Sequence, residues 1–189
     1  MPLLSNSLTR ARLSRVRNYL GKRILDAGCG HGELLNYLPP GVELIVLLDR
    51  NPHRADRIEA RVNRTGIQMQ FLIKDIERSE FTLSLTPFDT VVMAALLEHL
   101  KYPEVALKNL HNVMVAGGKL VVTTPSPLGG KLHWLGSKLG LVFAEAAHEH
   151  VRFYNRLTLC SIMVESGFVV EHYERFLLGL NQLVVARKI

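Results

Sequence analysis

Five nearly continuous apolar runs punctuate the chain: residues 23–27 (RILDA), 43–48 (ELIVLL), 69–73 (MQFLI), 88–95 (FDTVVMAA) and 119–124 (KLVVTT). Strands buried on both faces read this way, because neither face can be left polar. Between the runs the period changes to that of a helix. Residues 51–66 place Ala55, Ile58 and Val62 on one stripe, with Asn51 as N-cap, Pro52 at the first helical position and Gly66 at the end. Residues 102–118 put Pro103 near a helix start and Gly117-Gly118 at its stop. Residues 155–167 open on Asn155 as a cap and close on Gly167. The tail, 168–176 and 182–189 joined by LLGLN, predicts a terminal antiparallel hairpin at a sheet edge. Strands alternating with helices predict an α/β fold, a doubly wound and mostly parallel sheet.

One segment breaks the alternation. Residues 126–152 follow the fifth strand and carry Trp134 with Leu132, Leu135, Leu139, Leu141, Val142 and Phe143, too apolar for a free linker. A helical cap or lid over the carboxyl ends of the strands is the expectation. An N-terminal helix is expected over residues 1–20. At 189 residues, 48% apolar and 21% charged, a single domain spanning 1–189 is the simplest organisation.

The net charge of +6 is uneven. Arg10, Arg12, Arg15 and Arg17 crowd the first segment, and Arg50, Arg54, Arg57, Arg61 and Arg64 recur at helical spacing. A solvated helix face is the plain reading, a phosphate-reading stripe the sharper one. No apolar run reaches the roughly 20 residues that span a bilayer. Arginines stand where a signal peptide would carry its apolar core, so no secretion signal is expected. Two cysteines, Cys29 and Cys160, make no disulfide framework, and a cytoplasmic location is the simplest expectation.

The chemistry concentrates in residues 24–35, ILDAGCGHGELL. Glycines at a strand exit let the backbone approach a ligand and adopt positive φ without penalty. A dinucleotide is the obvious ligand, but the spacing argues against it. The G-x-G-x-x-G fingerprint seats a pyrophosphate on a helix N-terminus; here the third glycine comes one residue early and Glu33 stands in its place. An acid, Asp26, beside two phosphates would be poorly placed, whereas a cationic group would suit it.

This stretch resembles the first motif of class I S-adenosylmethionine-dependent methyltransferases, and the similarity continues in order. LIVLLD ends in Asp49, where the family carries the acid that grips both ribose hydroxyls. LIKDIE supplies Asp75 and Ile76, matching the pair that meets the adenine. The fourth strand opens FD and exits AALLEHL, similar to the ubiquinone-type and other small-molecule branches, and GGKLVVTTP fits the fifth. The resemblance implies a Rossmann-like seven-stranded sheet and S-adenosyl-L-methionine as cofactor. It places Asp26, Gly28, Cys29, Gly30 and Gly32 around the methionine part, Ala94, Ala95 and Leu96 behind the sulfonium, and Arg50 near the adenine. Ala116 departs from the family's usual proline, and Arg50 from the apolar residue that often packs on adenine. Cys29 reads equally well as a small buried residue.

For the acceptor, a base is needed only when the nucleophile must lose a proton. Glu98-His99 follows the fourth strand, and His148 and His150 lie in HEHVRFY, which resembles a stretch of small-molecule and cell-envelope methyltransferases. His99, His150, Glu98 and His148 are the candidate catalytic residues, with Arg152 and Tyr154 beside them. Packing between cap and core is the plain alternative for these histidines. A metal centre from His148, His150, Glu145 and Glu149 lacks a third firm ligand, so none is expected. No Asn/Asp-Pro-Pro-aromatic motif follows the fourth strand, so amine methylation of DNA is not indicated. The apolar cap with Lys131 and Lys138 points to a small or lipid-linked acceptor, methylated on oxygen. RNA methylation, supported only by the arginines, and a catalytically inactive cofactor-binding partner subunit are the rivals. The motifs specify neither the acceptor nor the oligomeric state.

Overall fold

The computed structural model describes residues 3–54, 58, 67–79, 81–83, 87–130 and 152–189. Its elements are helix α1 (Leu3–Val16), strands β1 (Arg23–Ala27), β2 (Leu44–Asp49), β3 (Gln68–Ile73) and β4 (Phe88–Ala94), helix α2 (Pro103–Asn112), strand β5 (Met114–Pro125), helix α3 (Arg156–Glu165), and strands β6 (Phe168–Phe176) and β7 (Asn181–Lys188). They form one seven-stranded sheet in the order β3-β2-β1-β4-β5-β7-β6. The first five are mutually parallel, and β7 runs antiparallel to both β5 and β6. The α/β expectation and the edge hairpin are both met.

Alternate residues of each central strand feed opposite faces. Leu25, Val46, Leu48, Val91, Met93 and Val122 pack on one side with Leu107 of α2 and Leu159 of α3. Ile24, Ile45, Leu47, Val92 and Val121 pack on the other with Leu13 and Val16 of α1. Two covered faces explain why these runs are apolar at every position. The Asn155 cap is present as foreseen: its side chain accepts from Thr158 N at 2.9 Å, and Thr158 Oγ1 accepts from Asn155 N at 3.0 Å.

Two local expectations are corrected. Helix α2 stops at Asn112, so Gly117-Gly118 lies inside β5 rather than at a helix end. There the β4–β5 register shifts between Phe88 and Thr90, Gly117 takes φ +77°, and a Cβ on Gly118 would meet the Asp89 and Phe88 carbonyls at 3.2 and 3.3 Å. The glycine pair makes a strand irregularity, which needs positive φ and close backbone approach. The glycine loop after β1 leads into a five-residue 3-10 turn, Glu33–Tyr37. The arginines of α1 are not all a solvated face. Arg10 and Arg17 are exposed, but Arg12 Nε donates to Asn181 Oδ1 at 2.9 Å, and Arg15 pairs with Glu174 at 3.1 Å and lies 4.4 Å over the Phe176 ring. Helix α1 is thereby strapped along the terminal hairpin.

Most of the expected 126–152 cap and of the expected 51–66 helix lies outside the described residues, including Arg57, Arg61 and Arg64. Of the latter, Ile58 is fully buried.

Candidate functional site

In an open parallel sheet the loops leaving adjacent strands diverge where strand order reverses, and a crevice opens at the carboxyl ends. Here that point lies between β1 and β4. Two cavities occupy it, about 320 Å³ and about 230 Å³, with Gly28 and Ala95 in the wall of both.

The glycine loop forms the floor. Gly28 N and Cys29 N both donate to the Leu48 carbonyl, at 2.8 and 3.0 Å, which pins the loop to β2. Gly28, Gly30 and Gly32 take φ of +70°, +57° and +73°. A Cβ on Gly28 would come within 2.7 Å of the Leu96 side chain. The loop needs glycine for conformation at all three positions and for space at the first.

The larger cavity is walled by the ends of β2 and β3 and by the turn after β4. Asp49 closes β2, and its carboxylate accepts from Gly30 N at 3.0 Å and Asn51 N at 2.9 Å. Asp75 Oδ1 accepts from Glu77 N at 3.0 Å. Asp49, Arg50, Asp75, Ile76, Leu96 and His99 all lie on this wall, so the residues expected at the ribose and adenine are brought together. Asn51, Arg54, Lys74 and Glu77 line it as well; Lys74 and Glu77 flank the marked pair in LIKDIE, and none of the four had a site role in the sequence reading.

The smaller cavity joins Asp26, Cys29, Gly30 and Ala94 to Thr9 and Arg12 of α1 and to Glu33. Asp26 is 3% exposed; burial first, then the Glu33 and Asp49 charges, push its carboxyl up to about 7. Burial pushes the Cys29 thiol well up, in keeping with a small buried residue rather than a nucleophile. Burial also lowers the Arg12 guanidinium from its ordinary value, partly offset by the Glu98 charge. Arg12 and Glu33, like Asn51, Arg54, Lys74 and Glu77 on the other wall, had no site role in the sequence reading. For Arg12 a signal existed: it shares a helical face with Thr9, Leu13 and Val16, the last two buried.

Ala95 takes φ +56°, uncommon for a residue with a Cβ, while its N–H donates to the Thr123 carbonyl at 2.8 Å. Such backbone is held only where its surroundings impose it, and here it shapes the wall shared by both cavities.

The candidate catalytic residues separate. Glu98 is 1% exposed and accepts from Thr124 Oγ1 at 2.9 Å, whereas His99, one residue on, lies on the larger cavity's wall. Arg152 is exposed, its N–H donating to the Glu98 carbonyl at 3.2 Å, and Tyr154 is packed in the core among aliphatic side chains. His148, His150, Glu145, Glu149, Lys131, Lys138 and Trp134 lie outside the described residues. Among the described residues, no group of three His, Cys, Asp or Glu side chains is arranged to hold a metal, and no helix is long and apolar enough to cross a membrane.

This donor set fits an adenosyl sulfonium amino acid better than a dinucleotide. Carboxylates at the ends of β1 and β2 flank the loop where a diphosphate would need donors. A carboxylate with two oxygens at a strand end suits a diol. A buried acid facing a cation across a small cavity suits a zwitterionic head.

The comparisons agree with that reading. The model of a methyltransferase domain family, Methyltransf_23, matches residues 5–173. The chain is 25% identical over 175 residues to a ubiquinone biosynthesis O-methyltransferase of Aeromonas salmonicida, covering 85% of this chain and 72% of that protein. It is 29% identical over 104 residues to the Coxiella burnetii protein of the same name, covering 55% of this chain and 44% of that one. The chain thus spans less than half of that relative's length. Among solved structures, the N-methyltransferase NodS of Bradyrhizobium japonicum with S-adenosyl-L-homocysteine matches with TM-score 0.66 at 19% identity, over 97% of this chain and 86% of that one. With the family model spanning most of the chain, and sheet order, glycine loop and strand-end acids in agreement, the chain belongs to the class I S-adenosylmethionine-dependent methyltransferases.

Proposed function

We propose that the chain transfers the methyl of S-adenosylmethionine to an oxygen of a small or lipid-linked metabolite. The observation that carries the cofactor half is the Asp49 carboxylate, fixed by Gly30 N and Asn51 N on the wall of the larger cavity. In this reading Asp49 takes the ribose hydroxyls, and Asp75 and Ile76 meet the adenine. Asp26 with the Gly28–Gly32 loop takes the aminoacyl head, and Ala94, Ala95 and Leu96 lie behind the sulfur.

The cofactor supplies an already activated methyl, so the protein's work is alignment and exclusion of water. Where the acceptor oxygen must shed a proton, His99, on the wall of the larger cavity, receives it, and Glu98, buried and held by Thr124, positions that turn from behind. His148 and His150 remain candidates for the same pocket from residues 126–152. The relatives named for ubiquinone biosynthesis favour oxygen as the methylated atom and a ring-bearing, partly apolar acceptor.

RNA methylation has one observation behind it. An open groove lined by Arg50, Lys74 and Arg78 adjoins the larger cavity. Those cations flank the adenine end rather than the methyl, so the small-molecule reading is preferred.

Ligand-dependent melting tests the cofactor half. A ligand at a hundredfold excess over its dissociation constant stabilises the folded state by about 2.7 kcal/mol. S-adenosylmethionine and S-adenosylhomocysteine raise the melting temperature and NAD does not, and Asp49→Ala erases the shift. An NAD shift, or an Asp49→Ala protein that keeps its own, refutes the assignment. Radiolabelled methyl transfer into the organic-extractable fraction of a cell extract tests the acceptor half. Label in RNA instead supports the rival, and bound cofactor with no transfer to any fraction supports an inactive partner subunit.

A further inference from the structure

Two carboxylates enter the smaller cavity where the family motif requires one. Glu33 follows the last glycine, at a position the resemblance assigns no role. The chain turns back there, and Glu33 Oε2 accepts from His31 N at 3.2 Å. That oxygen lies over the loop: a Cβ built on Gly30 would stand 3.7 Å from it. Asp26 reaches the same cavity from the end of β1, and Thr9 and Arg12 of α1 close the other side.

The three neighbouring acids are not equivalent. Consecutive amides of the loop divide between two of them: Gly30 N donates to Asp49 Oδ2 at 3.0 Å, and His31 N donates to Glu33 Oε2. Asp26, almost fully buried, faces both of them. Like charges at short range in a desolvated site do not all ionise, so the proton settles on Asp26.

Among the described residues the remaining groups around the cavity hold one cation, Arg12, and it is already engaged. Cys29 stays a thiol. Ala94 and Ala95 bring none. The Arg12 guanidinium is engaged with Asn181 and with the Glu98 charge, while Arg54 Nη1 lies 2.6 Å from His31 Nε2 on the other side of the loop. Among the described residues no cation offsets the push on Asp26, and a ligand's ammonium would.

We propose that Glu33 and Asp26 together seat the ammonium of the cofactor's aminoacyl head, and that seating it expels one proton from the pair. This rests on the cofactor assignment above. Glu33 is then a positioning residue for the cofactor, and cofactor affinity is linked to pH. The expelled proton leaves Asp26 for solvent while the ammonium keeps its own. Below neutrality the free protein holds that proton and must release it to bind, so affinity climbs as pH rises. The climb levels once Asp26 is ionised in the free protein too.

Calorimetric titration of the intact chain with S-adenosylhomocysteine, in two buffers of different ionisation enthalpy, counts the protons released. The range runs from about pH 5.5 to about pH 7.5, below the titration of an ordinary α-amino group. Expected is release approaching one proton per cofactor at the acid end, with affinity rising up to about tenfold per pH unit and flattening near neutrality. Glu33→Gln removes one of the charges that raise Asp26. It binds several-fold more weakly near neutrality, shifts the rise to lower pH and releases measurably less proton at about pH 6. Glu33→Asp, which keeps the charge, returns the profile toward the parent's. Measurable binding with no proton release in the parent chain overturns the proposal and leaves the cofactor assignment standing. So does a Glu33→Gln profile that superimposes on the parent's. No binding heat at any pH overturns both.

Discussion

The two cavities of the cleft are built in different ways. The adenosine side is assembled mostly by short-range bonds: Asp49 accepts from Asn51 two residues on, Asp75 from Glu77, and Asn51 from His53, each inside one turn at a strand end, with the Gly30 N bond to Asp49 the longer link. The aminoacyl side is assembled across the chain. Arg12 of α1, on its wall, meets Asn181 of β7 over 169 positions. The first side stays polar without its ligand. The second encloses an acid that burial and like charge push up to about 7, so its design is complete only when a cation arrives. Cofactor recognition is thus local at one end and tertiary at the other.

The largest effect expected from this contrast is on stability. An acid whose folded-state value lies above its unfolded value holds more proton when folded, so stability falls as pH rises from about 4 towards 7. For Asp26 that penalty reaches about 2–4 kcal/mol above neutrality. Asp26→Asn raises the unfolding free energy of the ligand-free protein by that order at about pH 8, measured by denaturant titration, while weakening cofactor binding. A variant no more stable than the parent there would mean that Asp26 is not strained by its site.

Next comes Thr124→Val. It takes the hydroxyl donor from a buried carboxylate, and a bond to a charged group contributes about 1.5–3 kcal/mol. Thermal melting falls accordingly, turnover drops, and S-adenosylhomocysteine affinity is retained. Lost cofactor affinity would instead tie Glu98 to the cofactor rather than the acceptor.

Gly28→Ala acts on the wall common to both cavities. A left-handed backbone costs a residue bearing a Cβ about 1–2 kcal/mol, and here the methyl also meets Leu96. Stability falls by about that amount, and affinity falls for adenosine and for S-adenosylhomocysteine alike.

Arg12→Met separates the two ends most sharply, with the smallest change. S-adenosylhomocysteine affinity falls about tenfold, about 1.4 kcal/mol, while methylthioadenosine, which lacks the aminoacyl head, binds as before. Equal losses for the two ligands in parallel calorimetric titrations would show that α1 serves the cleft as a whole.

The strands, their two-sided burial, the terminal hairpin and the Asn155 cap could be read along the chain because each is written in neighbouring residues. The same holds for the glycine loop with Asp26, and for Asp49 and Asp75 at strand exits, where place in the strand order fixes place in the cleft. Gly117-Gly118 misled, since a glycine pair ends a helix as readily as it irregularises a strand. What decides between them is the facing β4 backbone, which no local pattern records.

Arg12 and Glu33 show the other limit. Arg12 sits among four arginines of similar spacing, and only its meeting with Asn181 on a strand at the far end of the chain sets it apart. Glu33 reads as a solvated acid until the loop folds it back beside Asp26. Burial and the proximity of charges are sums over the whole fold. The chain's linear order therefore specified the sheet, the loop and the class of cofactor, whereas the packing of α1 and the loop against the sheet decided which charges are desolvated together, and so where the proton resides.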